Sequence, residues 1–342
     1  MSDEPFTRVT AVQPSDAQSD GLWLVIAWMA GLGACIVVAM AGLAFGPSGF
    51  GFAVVIAAAA FLLMKTRYRF GLRTFLIGTT LCGVWLGLKV GHDQKMERAT
   101  TGLMNAGARL KLHDRRPNFP WGLWAERYSL DFYGLNRALS GKEFAHFGSL
   151  PPYSFYWLNL ENTGLAGDNM RLVKRFRDAE FLSLANDTYR DGGRIPGRPQ
   201  NRVTDADVAK LRGLNLLRGI DLSGTDVTDA CVPHLLEFPH LIWITLDGTH
   251  VTGAGLARLS RLKNFRMLEL NGCPIGATGF RELSQLSNLS TIGLWNTGMT
   301  DNDLEQLDGL ARLSILRVGG NIVSADAVRR FSETHPHCKI ER

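Results

Sequence analysis

At 342 residues the chain is longer than the roughly 100–200 residues of a single domain, so at least two structural units are expected. Its formal charge of +5 does not mark a nucleic-acid binder, because much of the excess sits in Lys65, Arg67, Arg69 and Arg73, a stretch without acids where basic residues act as a topology signal. The 5 cysteines are odd in number and widely spread, with Cys35 and Cys82 inside apolar segments, and imply no disulfide framework.

Residues 1–20 form a polar tail. It carries Asp3, Glu4, Asp16 and Asp20 against Arg8 alone, the wrong flank for the basic start of a signal peptide. The region 21–91 then reads as transmembrane, because no charged residue occurs from Gly21 to Met64. Residues 22–45 supply 24 mostly apolar positions, which at about 1.5 Å each cross a hydrocarbon core of about 30 Å. After the Gly46-Pro47-Ser48-Gly49 turn, 50–64 is a shorter run that a snorkelling Lys65 can extend. A third run, 72–90, holds Arg73 and Lys89 near its ends and Trp85 towards the interface. The expectation is three helices. The positive-inside rule puts the loop from Lys65 to Arg73 in the cytoplasm, so the N-terminus is cytoplasmic and everything beyond about Gly91 is extracytoplasmic. If the short second run does not cross, the rule leaves the side open.

Residues 92–152 read as an N-terminal cap and linker. Met96, Ala99, Leu103 and Ala106 recur at helical spacing, and residues 109–113 alternate like an exposed strand. The Pro117 to Pro120 region with Trp121 and Trp124 belongs to the same cap, and Leu130 with Phe132 is a candidate for an irregular first repeat.

From Leu217 onward the sequence is self-similar at a 24-residue spacing. Leu217, Leu241, Phe265, Leu289 and Leu313 open successive units; Leu222, Leu246, Leu270, Leu294 and Val318 recur in step. Behind them run Thr225, Thr249, Cys273, Thr297 and Asn321, then Val227, Val251, Ile275, Met299 and Val323. The h-x-L part of each unit predicts a short strand with alternate residues inward, and pairs such as Leu256 with Leu259 predict a helical turn. No unit can bury its own apolar face, so neighbours must stack. The Thr, Cys or Asn column is placed to satisfy backbone groups at the turn, while Thr228-Asp229, Thr252 and Thr300-Asp301 sit where helices start and suit capping. Upstream, Leu158 and Leu160 precede Leu182 and Leu184 by 24 residues, and Val203-Thr204-Asp205 restores the motif after an insertion at 186–200. Six clear repeats and one doubtful one are counted, in a repeat domain spanning 153–342 and closed by a polar C-terminal cap.

These residues resemble the leucine-rich-repeat superfamily over Leu158 to Arg342, and the Val-Thr-Asp variety resembles repeats of bacterial cell-surface proteins and of F-box substrate adaptors. With spans rather than an F-box-like segment ahead of the repeats, the layout is similar to uncharacterised bacterial membrane-anchored leucine-rich-repeat proteins. The resemblance implies an α/β solenoid, a curved parallel sheet with short helices on the convex side, preceded by transmembrane helices, and a protein-binding role.

Catalytic chemistry is not expected. There is no Gly-x-Ser-x-Gly elbow, Walker loop or His-Glu-x-x-His, and Gly253-Ala254-Gly255 lies at a helix start without a βαβ unit around it. Asp229, Asp301 and Asp303 are locked to the repeat and read as caps rather than acid/base pairs. His335, His337 and Cys338 offer three ligands without a fourth, and His234, His240 and His250 fall on convex turns, so neither a metal nor a cofactor is assigned.

The candidate site is the concave face, because strand residues flanking the inward pair must point there. Trp157, Phe181, Trp243 and Met267 precede the pair; Asn159, Asp221, Glu269 and Arg317 lie within it; Glu161, Asp247 and Trp295 follow it. Aromatic anchors ringed by polar groups are how binding hot spots are built. The expected function is a membrane-tethered module recognising a protein or cell-envelope polymer. The alternative is an assembly component that packs through its own repeats. A second candidate is the basic insertion with Arg190, Arg194 and Arg198, facing an anionic lipid or acidic partner.

Overall fold

The computed structural model describes residues 94–118, 123–132, 137–150, 155–187 and 195–342, with side chains described outside 113–118 and 123–127. The polar tail, the three expected spans, Trp121, Arg190 and Arg194 lie outside the described residues. Among the described residues no helix is long and apolar enough to cross a membrane.

Ten strands join in chain order into one sheet. The first two, β1 (Arg109–Asn118) and β2 (Leu123–Asp131), form an antiparallel hairpin. From β2 onward every pairing is parallel: β3 (Phe155–Asn159), β4 (Phe181–Ser183), β5 (Gly219–Asp221), β6 (Trp243–Thr245), β7 (Met267–Glu269), β8 (Thr291–Gly293), β9 (Ile315–Arg317) and β10 (Lys339–Glu341). Each strand from β2 to β9 is followed by a long return rather than a hairpin turn, and the return carries a short helix such as Asp205–Lys210, Ala277–Leu283 or Asp301–Gln306.

The register follows the apolar alternation. Leu158, Leu182, Ile220, Ile244, Leu268, Ile292 and Leu316 stand in one paired row, all 0 or 1% exposed. Fully burying each such side chain is worth about 1.5–3 kcal/mol, and the row is contiguous only because the repeats stack. The expected count of six repeats and a doubtful one is too low. The units at Leu158 and Leu182 each contribute a strand in register, and Leu130 pairs with Leu158 while Phe132 is fully buried, so the hairpin supplies a further turn of the solenoid. Inward alternation fixes a strand even where the convex consensus has faded, so the doubtful unit at Leu130 and Phe132 takes its place in the sheet.

Both ends of the core are covered. A helix running to residue 105 packs Met96, Ala99 and Leu103 onto the first repeat. At the other end Phe331 is 2% exposed, and His335 stacks on it at 4.1 Å while a ring nitrogen meets the Phe331 carbonyl at 3.2 Å. His335 is thus part of the closing unit.

The Thr/Cys/Asn column does what its position predicts. Thr163, Thr225, Thr249 and Thr297 each donate their hydroxyl to the carbonyl three residues back, at 2.6–3.0 Å. Asn321 spans two repeats, donating to the Leu294 and Val318 carbonyls and accepting from the Thr297 and Met299 amides. Capping is more divided than expected. Thr204 and Thr300 form capping boxes with Asp207 and Asp303, and Thr228 caps through the Ala230 amide. Asp229 and Asp301, read from the sequence as caps, instead accept from the next repeat: Asp229 from the Thr252 and Gly253 amides, and Asp301 from the Ser324 amide and hydroxyl. Asp205 accepts likewise from Thr228. A carboxylate two bonds from the backbone reaches the neighbouring turn, about 5 Å away in a parallel sheet, as easily as its own helix.

Candidate functional site

Outward strand positions form three rows across the concave face. The first row is aromatic at its N-terminal end. Trp157 and Phe181 lie 5.2 Å apart, and Trp243 stacks on Phe181 at 6.2 Å and 13° although a repeat separates them. Gly219 stands between the two, and a Cβ there would lie inside the indole of Trp243, so the missing side chain is the seat of the ring. Trp157 remains 38% exposed and Met267, next along, 36%. This apolar strip is open to solvent among the described residues, which a purely solvated sheet does not need. Trp295 lies in the third row, half-buried over Gly319 in the same manner.

The charged residues separate along the same axis. Towards the C-terminus, Glu269 is only 9% exposed and pairs with Arg317 two repeats away, across Gly293, where a Cβ would collide with the carboxylate. Arg317 also binds Glu341 at 3.0 Å. Glu269 and Arg317 therefore spend their charge on each other rather than presenting it. Towards the N-terminus the acids are differently placed. Asp221 accepts from the Ser223 amide and hydroxyl at 2.9 and 2.6 Å, and Asp247 from the Asn271 amide and side chain at 2.8 and 3.0 Å. Glu161 stands beside Asp187, and Asp187 pairs with Arg198 at 3.4 Å. Asn159 accepts from the Glu161 amide.

Burial pushes Glu161 up to about 8, helped by the Asp187 carboxyl bonded to it and by the Asp221 charge. Burial likewise raises Asp247 to about 6, with Glu269 and Asp221 adding and the Asn271 bonds opposing, and it raises Asp221 against its Ser223 bonds. A carboxyl raised in the folded state favours folding in its protonated form, so its ionisation subtracts stability as pH rises from the unfolded value through the folded one. For Glu161 that window runs from about 4.5 to about 8. The expected outcome is that the protein loses stability between about pH 5 and 8, and that Glu161→Gln with Asp247→Asn flattens the profile and raises the melting temperature at the alkaline end. Thermal unfolding across this range checks it; parallel profiles for the two proteins would contradict it.

Of the insertion's three arginines, Arg198 alone lies among the described residues, and it pairs with Asp187. Sequence reasoning passed over Asp187, Glu341 and the glycine seats at 219, 293 and 319. The register columns contained Gly219, Gly293 and Gly319, and the signal was a glycine adjacent to a tryptophan, or between opposite charges, in one row.

No protein-family model matches the chain, and no curated protein does. Solved structures do. A leucine-rich-repeat protein of Leptospira interrogans matches 60% of this chain at 17% identity and a TM-score of 0.39, the match covering 52% of that protein. An internalin (inlF) of Listeria monocytogenes matches 60% at 14% identity and a TM-score of 0.36, covering 64% of its chain. TLR13 in its complex with ssRNA13 matches 60% at 15% identity and a TM-score of 0.36, covering 31% of its chain. The chain spans about half the length of the Leptospira protein.

Proposed function

We propose that this leucine-rich-repeat protein, so assigned by its 24-residue period and its continuous parallel sheet, is a membrane-tethered module that binds a foreign protein on its concave face outside the cytoplasm. The observation that carries the reading is the strip Trp157, Phe181, Trp243 and Met267, an open apolar row on a sheet face bordered by carboxyls. Large rings held rigid by stacking lose little freedom on binding and so make efficient anchors. The uncharged stretch from Gly21 to Met64 and the basic loop after it support the tether and the orientation.

Trp243→Ala combined with Trp295→Ala tests the face. Each anchor contributes roughly 1–3 kcal/mol, so partner capture is expected to weaken at least about tenfold. The melting temperature should fall moderately, because both rings keep some contact with solvent and neither belongs to the fully buried core. A large loss of stability with unchanged capture would make the rings part of the core and sink the reading. Packing between copies of this chain is the rival use of the same strip. Light scattering of the detergent-solubilised chain separates the two: concentration-dependent growth that the Trp pair abolishes would favour assembly, and a constant mass favours a foreign partner.

A further inference from the structure

The aromatic strip and the carboxyls occupy the same half of the sheet face, and their chemistry narrows what can lie there. Trp157, Phe181 and Trp243 form the wall, the carboxyls of Glu161, Asp221 and Asp247 stand in the adjoining rows of the same stretch of sheet, and Asp187, two positions past its row, is bonded to Glu161. Among the described residues one guanidinium, Arg198, pairs with these four, whereas in the C-terminal half Arg317 serves Glu269 and Glu341. Among the described residues the face is therefore electrically lopsided. Groups facing Glu161 are Asn159, Asp187 and Asp221; those facing Asp221 are Ser223, Glu161 and Asp247; those facing Asp247 are Asn271, Glu269 and Asp221.

We infer that this N-terminal half of the concave face docks an extended, arginine- or lysine-bearing segment of the partner, with its cationic heads among the carboxyls and its aliphatic stems along the aromatic row. The inference rests on the concave-face reading above. Charge complementarity selects the head, and the apolar row beside it selects a long stem over a bare ion, since Lys and Arg bury their methylenes on apolar surface while the charge reaches a carboxylate. A divalent metal fits less well, because among the described residues no three His, Cys, Asp or Glu side chains converge as a metal site. A sugar ring stacked on the same row is the rival occupant, and it lacks a cationic head for the carboxyls beside it.

Clustered carboxyls that resist ionisation give the docking a proton signature. A cation favours their charged forms, so binding expels protons and strengthens as pH rises through the range in which Glu161 and Asp247 titrate. The test uses the full chain in detergent micelles and three probes: an alternating arginine–alanine peptide, whose charge is constant over this range, its glutamate–alanine counterpart, and a chitooligosaccharide. Calorimetry at about pH 6 and about pH 9, each in two buffers of different ionisation heat, reads affinity and proton release together. The arginine peptide should bind at least tenfold tighter at the higher pH, with protons released, and the other two probes should not bind. Glu161→Gln with Asp221→Asn and Asp247→Asn should weaken it at least tenfold, while Glu305→Gln, exposed on the convex helix Asp301–Gln306 far along the chain, should change nothing. Equal loss from the Glu305 variant, preference for the oligosaccharide, or pH-independent binding overturns the inference. If the arginine peptide fails while the Trp243 and Trp295 pair still weakens capture of the natural partner, the cationic ligand is wrong and the concave face stands; if both fail, both readings fall.

Discussion

Replacing Asn201 by leucine is expected to remove about 3–5 kcal/mol of stability, a large part of the 5–15 kcal/mol that holds a typical domain together. Asn201 is 1% exposed and sits where the chain re-enters the repeat after the insertion. Its amide donates to the Leu160 carbonyl at 2.7 Å and the Leu184 carbonyl at 3.0 Å, and its oxygen accepts from the Leu165 amide at 2.8 Å. Asn186 ties the other end of the insertion, accepting from the Asn201 amide at 2.6 Å and donating to the Gly224 carbonyl at 2.8 Å. Leucine has the same branching but is bulkier and satisfies none of these groups, leaving the Leu165 N–H and the Leu184 C=O buried without this partner at roughly 1–3 kcal/mol each. The bonds between Asn186 and the Asn201 main chain survive the change, but the insertion loses its side-chain anchor to the repeats, and cleavage by a protease between 187 and 200 should accelerate. Urea unfolding reads the loss, and a midpoint within error of the parent protein would mean that the insertion is not pinned by this residue.

Gly279→Ala should cost about 2–4 kcal/mol, the opposite sign from its usual effect in a helix, where alanine is favoured over glycine by about 0.5–1 kcal/mol. Gly279 lies inside the helix Ala277–Leu283, and a Cβ there would stand 2.5 Å from the Thr252 carbonyl oxygen and 3.1 Å from the Gly253 Cα. Gly253 is reciprocally close and has φ +95, so the clash is between backbones and neither side can rotate away. This close approach is the physical use of the Gly253-Ala254-Gly255 stretch. Gly141→Ala, at a helix start with open space around it, is the control and should be neutral or slightly stabilising. A neutral Gly279→Ala in the same unfolding assay would show that the repeats at this junction can separate.

The inward rows, the strand order and the column residues were legible because period and alternation report burial directly, one residue at a time. Even Asn201 was within reach: it precedes Val203 by two positions as Thr225 precedes Val227, and only the insertion disguised it. What the sequence hid were relations between repeats. Asp229 and Asp301 occupy cap positions, and whether such a carboxylate turns to its own helix or to the next turn depends on distances that a single repeat does not contain. The pairing of Glu269 with Arg317 skips a whole repeat through Gly293, so a column read by type alone showed two charged candidates for a ligand where the fold holds an internal ion pair. The aromatic row was legible as composition, but its stacking across Gly219 was not.

The central claim is that a foreign protein lies on the concave sheet, and photo-cross-linking from single positions of the full chain in its native membrane tests it most directly. A photo-reactive residue at Met267, on the open end of the aromatic strip, and another at Arg258, exposed on the convex helix Leu256–Arg261, sample the two faces in neighbouring repeats. The account predicts a discrete heavy adduct from position 267, absent from position 258 and absent when Trp243→Ala and Trp295→Ala are present. Adducts from position 258 alone, or adducts from 267 whose added mass is a second copy of this chain, would contradict it.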